Sequence, residues 1–439
     1  MQQSMTDRLT GIVSRRLEQE GISLAGKTVL CAFSGGRDSV VLLHLLRRMS
    51  VQQGFIVCAA HFNHHLRDTA QRDESFARRH CAELGIPLTV GGGDVSARAA
   101  ETGTGTEDAA RMLRYAFLQR TAEEIGADYV ATGHHRQDNA ETLLLHLLRG
   151  SGLNGLCGIS YLRENLLRPM LDIDRAEIDA CASENHLPYV EDETNADTTY
   201  TRNRIRAQLL PLLEEISHGS VSRIADTAQR LKADEAYLQR QADAQMGSDS
   251  TVLSVSLLNR QERAVAARMV RSAARHLGVE LTGAQTDGVL QLKNGACLAL
   301  RSEVRVARDR DVLRFYCLPP TAKPMELTCG EHRWGAWRII MYETRDNIPE
   351  DACTVVLRGD ITSVTIAPWD GSGRLSVENG RRTVKRLFAD KGICAAQRER
   401  APALYADGEL IAVFGAGTDH ALQGIPGETK LVITLEAEV

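Results

Sequence analysis

Lys27-Thr28-Val29-Leu30-Cys31-Ala32-Phe33-Ser34-Gly35-Gly36-Arg37-Asp38-Ser39-Val40-Val41-Leu42-Leu43 decides the fold of this chain. Residues 27–33 are a continuous run of strand formers without polar alternation, which predicts a strand buried on both faces. From Asp38 to Met49 the apolar residues fall at helical spacing. Between strand and helix lies Ser34-Gly35-Gly36-Arg37-Asp38-Ser39. Two glycines let the backbone turn tightly and approach a ligand closely. A helix N-terminus aims unpaired N–H groups and a positive dipole end at whatever sits above it. The two serines add hydroxyl donors. The combination predicts an anion cradle suited to phosphate or pyrophosphate. No Gly-Lys-Ser/Thr follows, so it is not a Walker A loop. A tight turn capped by Ser or Asp would use the same residues, and the strand–loop–helix setting favours the cradle.

The alternation continues outward. Residues 55–62, 86–91 and 128–135 read as three more strands, and 71–84, 106–126 and 139–150 as helices. Thr106 is the expected cap of the long helix and Gly126 its stop. Apolar strands separated by helices predict an α/β domain with a parallel, doubly wound sheet and right-handed crossovers. Ligands on such sheets bind at the carboxyl ends of the strands. Helical patterns follow at 220–246, 259–277 and 282–293, then two strand-like stretches up to residue 318. Residues 318–324, Leu-Pro-Pro-Thr-Ala-Lys-Pro, read as a linker. Beyond it come short strands, Gly turns and one helix over 381–392. The expected domains are 1–217, 218–318 (mainly helical) and 325–439 (small α+β).

The 439 residues, 43% of them hydrophobic, fit a globular chain of two to four domains. The apolar runs are too short for a transmembrane helix, and residues 1–21 show an amphipathic pattern rather than an export signal. The ten cysteines stand at least twelve positions apart, which disfavours zinc knuckles and dithiol motifs. A reducing cytoplasm, with no membrane and no disulfide partner, is the expectation. The net charge of −5 argues against a surface coated in positive charge. Charge is uneven, however. Eleven Lys/Arg face six Asp/Glu between 260 and 314, and eight face three between 374 and 400. These stretches are candidate nucleic-acid contacts, or solvated faces.

Ser34–Ser39 resembles the SGGxDS loop of the ATP-pyrophosphatase (PP-loop) family, whose members cleave ATP between the α and β phosphates and adenylate a substrate. Four further stretches resemble the tRNA(Ile)-lysidine synthetases within it. They are His61-Phe62-Asn63-His64-His65-Leu66-Arg67, Glu107 to Tyr115, Thr132 to Thr142, and Glu191 to Arg206. More loosely, 384–413 resembles that family's small C-terminal domain. The resemblance implies ATP and Mg²⁺ as cofactors. It implies an isoleucine tRNA with a CAU anticodon and free L-lysine as partners, with a homodimer left open. Lysine would be joined to the wobble cytidine through an adenylated intermediate.

By this resemblance Ser34, Gly35, Gly36, Arg37, Asp38, Ser39 and His61 bind ATP. Asp38, Asp138 and Glu141 are the catalytic candidates, with Asp38 also the candidate for Mg²⁺. Asp138 and Glu141 stand at i and i+3 and can point into one site. A free lysine ammonium, with a reference pKa near 10.4, needs a carboxylate to position it and accept a proton. Arg111 and Arg114 on one helix face, and Arg202 and Arg206, are candidates for tRNA or substrate contact, since Arg offers a planar fork. Residues 191–206 read either as a self-paired polar hinge or as an RNA-contacting loop. His134 and His135 are candidates for phosphate contact or strand capping. The sequence departs from the family pattern at Gln137, which leaves Asp138 to carry any carboxylate role there, and at His65 and Cys394. A thiolating tRNA enzyme of the same family and a non-catalytic nucleotide-binding module remain the alternatives.

Overall fold

A computed structural model describes residues 4–63, 70–190, 201–318, 322–351, 353–361, 363–378, 380–394 and 398–437. The chain divides into two compact units, Met1–Ala236 and Tyr237–Val439.

The first unit runs α1 (Met5–Gln19), β1 (Thr28–Ala32), α2 (Arg37–Gln53), β2 (Ile56–Asn63), α3 (Ala70–Leu84), β3 (Leu88–Gly92), α4 (Val95–Thr102) and α5 (Thr106–Ile125). It continues with β4 (Tyr129–Ala131), α6 (Arg136–Leu148), α7 (Leu153–Leu156), β5 (Leu162–Arg163), β6 (Leu166–Leu167) and α8 (Arg175–Glu184). The sheet order is β3-β2-β1-β4-β6-β5. All neighbours are parallel except β5, which pairs antiparallel with β6 at the edge. The chain starts in the middle, builds outward to β3, and returns to the other side of β1. The crevice outside β1 and β4 is therefore a topological switch point, where such sheets bind ligands.

The apolar β1 serves two cores. Val29 and Cys31 face a cluster with Leu9 and Val13 of α1, Val41 of α2 and Ile178 of α8. Leu30 faces the opposite cluster with Phe117 and Leu118 of α5. All three β1 residues are inaccessible to solvent. Truncating a buried leucine of this kind costs about 2–5 kcal/mol.

Several expected boundaries shift. The strand expected over 128–135 ends at Ala131, and α6 begins at Arg136 rather than 139. The cause is local: the His135 backbone N–H donates to Asp138 Oδ2 at 2.9 Å, which closes the first turn early. The β5–β6 hairpin and α8 carry no assignment in the sequence reading. After the segment 191–200, which lies outside the described residues together with 64–69, α9 (Thr201–Arg204) passes through a π turn at Ile205–Leu209 into α10 (Leu210–Ile216). A long α11 (Ser220–Asp243) follows and crosses the division between the units.

The second unit opens with helices Val255–Arg260, Arg263–Arg275 and Gly283–Leu290. They pack on a four-stranded antiparallel sheet around Met269, Val270, Leu313 and Phe315. Its C-terminal part has a five-stranded and a four-stranded sheet sharing a core of Ile339, Leu357, Ile366, Leu404 and Ile433. The helix expected over 381–392 begins only at Val384. Thr383 accepts the Arg386 N–H as its cap, and Arg381 and Arg382 belong to a strand instead. Residues 319–321 of the expected linker, and 395–397, lie outside the described residues. No helix among the described residues is long and apolar enough to cross a membrane.

Candidate active site

The loop after β1 is built largely by its own serines. Ser39 Oγ donates to the Gly36 carbonyl at 2.8 Å and accepts the Gly35 N–H and the Ser34 hydroxyl, each at 3.1 Å. The Gly36 N–H donates to Ser34 Oγ at 3.3 Å. The serine hydroxyls thus shape the loop rather than face outward. What remains for an anion is the first turn of α2, whose N–H groups at Arg37, Asp38 and Ser39 have no helical partner. Gly35 has φ +87°, and a Cβ there would stand 3.2 Å from the Phe76 ring, so glycine is required. The Val190 N–H donates to the Gly35 carbonyl at 3.0 Å and closes the loop from below. His61, buried at the end of β2, reaches the Phe33 carbonyl through Nδ1 at 2.9 Å, and burial pushes its imidazole pKa down. It therefore buttresses the start of the loop.

Asp38 lies on the first turn of α2, with 35% of its side chain exposed. Both its oxygens accept from Arg175 Nη1, at 2.8 and 3.1 Å. Arg175 also pairs with Asp179 at 3.2 Å, and Asp179 pairs in turn with Arg37. The Arg37 guanidinium sits 4.8 Å from the centre of the Tyr189 ring. Across the switch point, the turn after β4 approaches closely: a Cβ on Gly133 would stand 3.2 Å from the Asp38 backbone. Any larger residue would require the two loops to move apart by a few tenths of an ångström.

That turn delivers the second pair of carboxylates. Asp138 is 8% exposed and Glu141 is fully buried on α6. Glu141 accepts from Arg206 Nε at 2.7 Å, Arg206 Nη2 at 2.9 Å and Arg202 Nε at 3.2 Å. Asp138 Oδ1 accepts from Arg206 Nη2 at 2.9 Å. Burial alone would raise the Asp138 pKa. His135, His134, the His135 N–H and Arg206 outweigh it and hold the carboxyl at about 2. His135 stands between the two halves of the site, its Nε2 3.9 Å from Asp38 Oδ2 and 3.5 Å from Asp138 Oδ2. His134 accepts or donates at Nδ1 to the Thr132 hydroxyl at 2.8 Å. Burial first, then Arg168, Arg202 and Arg111, override the opposing pull of Asp138 and bring the His134 pKa down to about 3.

The structure thus gathers Asp38, Asp138, Glu141, Arg202 and Arg206 around one crevice beside the Ser34–Ser39 loop. Arg111 and Arg114 do not join them by hydrogen bonds. Their guanidinium carbons lie 5.1 and 5.6 Å from the Tyr115 ring centre. Arg175, Asp179 and Arg168 carry no role in the sequence reading. The first two stand at i and i+4 on a helix that reading leaves unassigned, so the signal was the helix itself. His65 and Glu191 to Tyr200 lie outside the described residues.

The sequence matches the family described as "PP-loop domain" over residues 9–213, and "TilS substrate C-terminal domain" over 364–435. A tRNA(Ile)-lysidine synthase of Thermotoga sp. (strain RQ2) is 43% identical over 192 residues, covering 44% of this chain and 46% of that protein. One of Porphyromonas gingivalis (strain ATCC 33277) is 33% identical over 332 residues, covering 74% of this chain and 71% of that protein. For the first three relatives the match spans about half of their own length, 46% to 52%. Among solved structures, the U34-tRNA thiolase NcsA from Methanococcus maripaludis has a TM-score of 0.45 and 19% identity, covering 52% of this chain and 79% of that chain.

Proposed function

Because the chain belongs to the tRNA(Ile)-lysidine synthase family, we propose that it joins free L-lysine to carbon two of the wobble cytidine of a CAU-anticodon isoleucine tRNA, consuming ATP. One observation carries the reading. An anion-binding loop and three carboxylates meet at the switch point, with the His135 ring between Asp38 and Asp138.

In the first step the cytosine O2 attacks the α-phosphorus of ATP. The O–P bond forms, the α–β bridging bond breaks, and pyrophosphate leaves. The amides at the start of α2 face the charge that develops on that leaving group. Asp38 suits Mg²⁺, which takes one or two carboxylates plus substrate phosphates, and the ion would share Asp38 with Arg175. When bound, Mg²⁺ would neutralise phosphate charge.

In the second step the lysine ε-nitrogen attacks C2, the C2–N bond forms, and the C2–O bond to AMP breaks. The incoming ammonium must first lose a proton. Asp138 and Glu141 already hold two cations, so the ammonium exchanges for a guanidinium rather than entering a bare acidic site. While Arg206 stays paired, an Asp138 held at about 2 is a poor base. His135 and His134 lower the carboxyl more than Arg206 does, and an ammonium in place of Arg206 keeps a cation on it, so His135, 3.5 Å from Asp138 Oδ2, is our candidate to accept and relay the proton. We assign catalysis to 1–217 and tRNA binding to 218–318 and 325–439, on the strength of the Lys and Arg surplus within their stretches 260–314 and 374–400.

The test is incubation with labelled lysine, ATP, Mg²⁺ and a CAU-anticodon isoleucine tRNA transcript. Lysine-labelled RNA and AMP are expected. A folded protein that binds this RNA and transfers no lysine refutes the reading.

A further inference from the structure

Between α5 and the β5–β6 hairpin the sheet edge leaves a cleft of about 370 Å³. Arg111, Arg163 and Arg168 line it, with Tyr115, Asn165 and Leu166. Arg168 is only 7% exposed. Its Nη1 donates to the Ser160 carbonyl at 2.6 Å, while its buried Nε has no partner. The Tyr115 hydroxyl lies against the Arg114 and Arg168 guanidiniums, buried and without a completed hydrogen bond. Among the described residues, none of Arg111, Arg114, Arg163 and Arg168 has a carboxylate partner. Glu164, at the hairpin turn, also lines the cleft and pairs with none of them.

Like charges repel, and buried polar atoms without partners are costly. Three guanidiniums lining one cleft, with Arg114 behind Tyr115 and none of the four paired with a carboxylate among the described residues, are therefore arranged to take an anion. The arginines around the catalytic carboxylates differ: Arg37, Arg175, Arg202 and Arg206 are all paired with carboxylates. The Tyr115 ring, already flanked by Arg111, and the apolar Leu166 offer surfaces on which a base can stack. The cleft also connects to the carboxylates. His134 feels both Arg168 and Arg111 on one side and Asp138 on the other.

We propose that this cleft is a nucleotide subsite, separate from the Ser34–Ser39 loop, that holds the phosphate and base of an RNA residue next to the one that reacts. The inference rests on the lysidine reading for the identity of the RNA. It explains how a target base is held beside Asp138 while the ATP phosphates occupy the far side of the crevice. Arg163 and Arg168 supply phosphate contacts that the sequence reading did not assign.

The test uses the full chain and a labelled RNA hairpin with a CAU anticodon loop, with binding followed by anisotropy from 50 to 200 mM salt. Arg163→Glu changes an exposed side chain of the hairpin. Arg168→Lys keeps the buried charge and loses the fork. Both are expected to weaken hairpin binding about tenfold or more, and to reduce the salt slope by about one phosphate contact. Unchanged affinity and slope in folded Arg163→Glu overturns the proposal. A parallel fall in affinity for ATP alone, measured without RNA, overturns it too, because the cleft would then belong to ATP. Lysine transfer by the unmodified chain is measured alongside. If transfer fails while the variants still lose hairpin binding, the lysidine reading falls and the subsite stands. If transfer succeeds while the variants bind normally, only the subsite falls.

Discussion

Glu141→Gln removes a charge that has no contact with water and that accepts three hydrogen bonds from two guanidiniums. Removing one partner of a buried ion pair costs about 3–5 kcal/mol, because the other charge is left uncompensated. Here the cost is smaller. Arg202 and Arg206 keep 27% and 36% of their side chains exposed, so water recovers part of the loss. Arg206 also retains Asp138. About 2–3 kcal/mol remains, which for a unit of this size lowers Tm by roughly 4–12 °C. Thermal unfolding of the full chain measures it. A double-mutant cycle with Arg206→Gln should give a coupling energy of at least about 1 kcal/mol. The pair Glu141→Leu with Arg206→Met should come close to the unmodified Tm, since a well-packed apolar pair often matches a buried ion pair. A shift below about 1 °C for Glu141→Gln, or single effects that simply add, would refute the ion-pair network.

Three other outcomes are expected. Asp38→Ala should keep tRNA binding and lose AMP formation; retained turnover would mean that Asp38 only anchors Arg175 and α8. Gly133→Ala forces a Cβ to within 3.2 Å of the Asp38 backbone. It should cost about 1–3 kcal/mol and lower lysine transfer more than tenfold, whereas wild-type rates would show that the two loops need not be this close. Asp138 is held at about 2 against an ordinary 3.8, so its stabilisation is complete above about pH 4 and is lost as pH falls through 2. Asp138→Asn should remove that acid limb and cost on the order of 2 kcal/mol at neutral pH. An unchanged limb in urea titrations at stepped pH counts against the depressed carboxyl.

The core of the fold was legible because β1 and α2 obey period rules that depend only on neighbouring residues. Val29, Leu30 and Cys31 must be buried on both faces, and the apolar spacing from Val40 to Met49 fits nothing but a helix. The β5–β6 hairpin was not legible. Its strands are two residues each, and its turn places Glu164 at φ +56° without any glycine to announce it. At the site, the spacing of Asp138 and Glu141 showed that they share a face. Their pairing with Arg206, 68 and 65 residues away, has no periodic trace. Of the segment 191–206, read as a hinge or an RNA-contacting loop, only 201–206 lies among the described residues. Arg202 in α9 and Arg206 in the π turn that follows both reach the carboxylate site, the π turn being a departure that often marks functional segments. The serines of the loop illustrate the same limit. Their presence was evident, but that Ser39 spends its hydroxyl on Gly36 depends on a turn geometry that composition does not encode.

The two-sided burial of β1 has a consequence for how this chain can be altered. A residue added between Thr28 and Val29 would turn Val29, Leu30 and Cys31 to the wrong cores together, and push the Ser34–Ser39 loop about 3.3 Å along the strand, past Gly133, His135 and Arg175. The strand is a spacer of fixed length, intolerant of insertion or deletion even where substitution is mild. The edge hairpin at 162–167 has a neighbour on one side only. A change of length at that edge would reshape the arginine cleft and leave the catalytic loop in register.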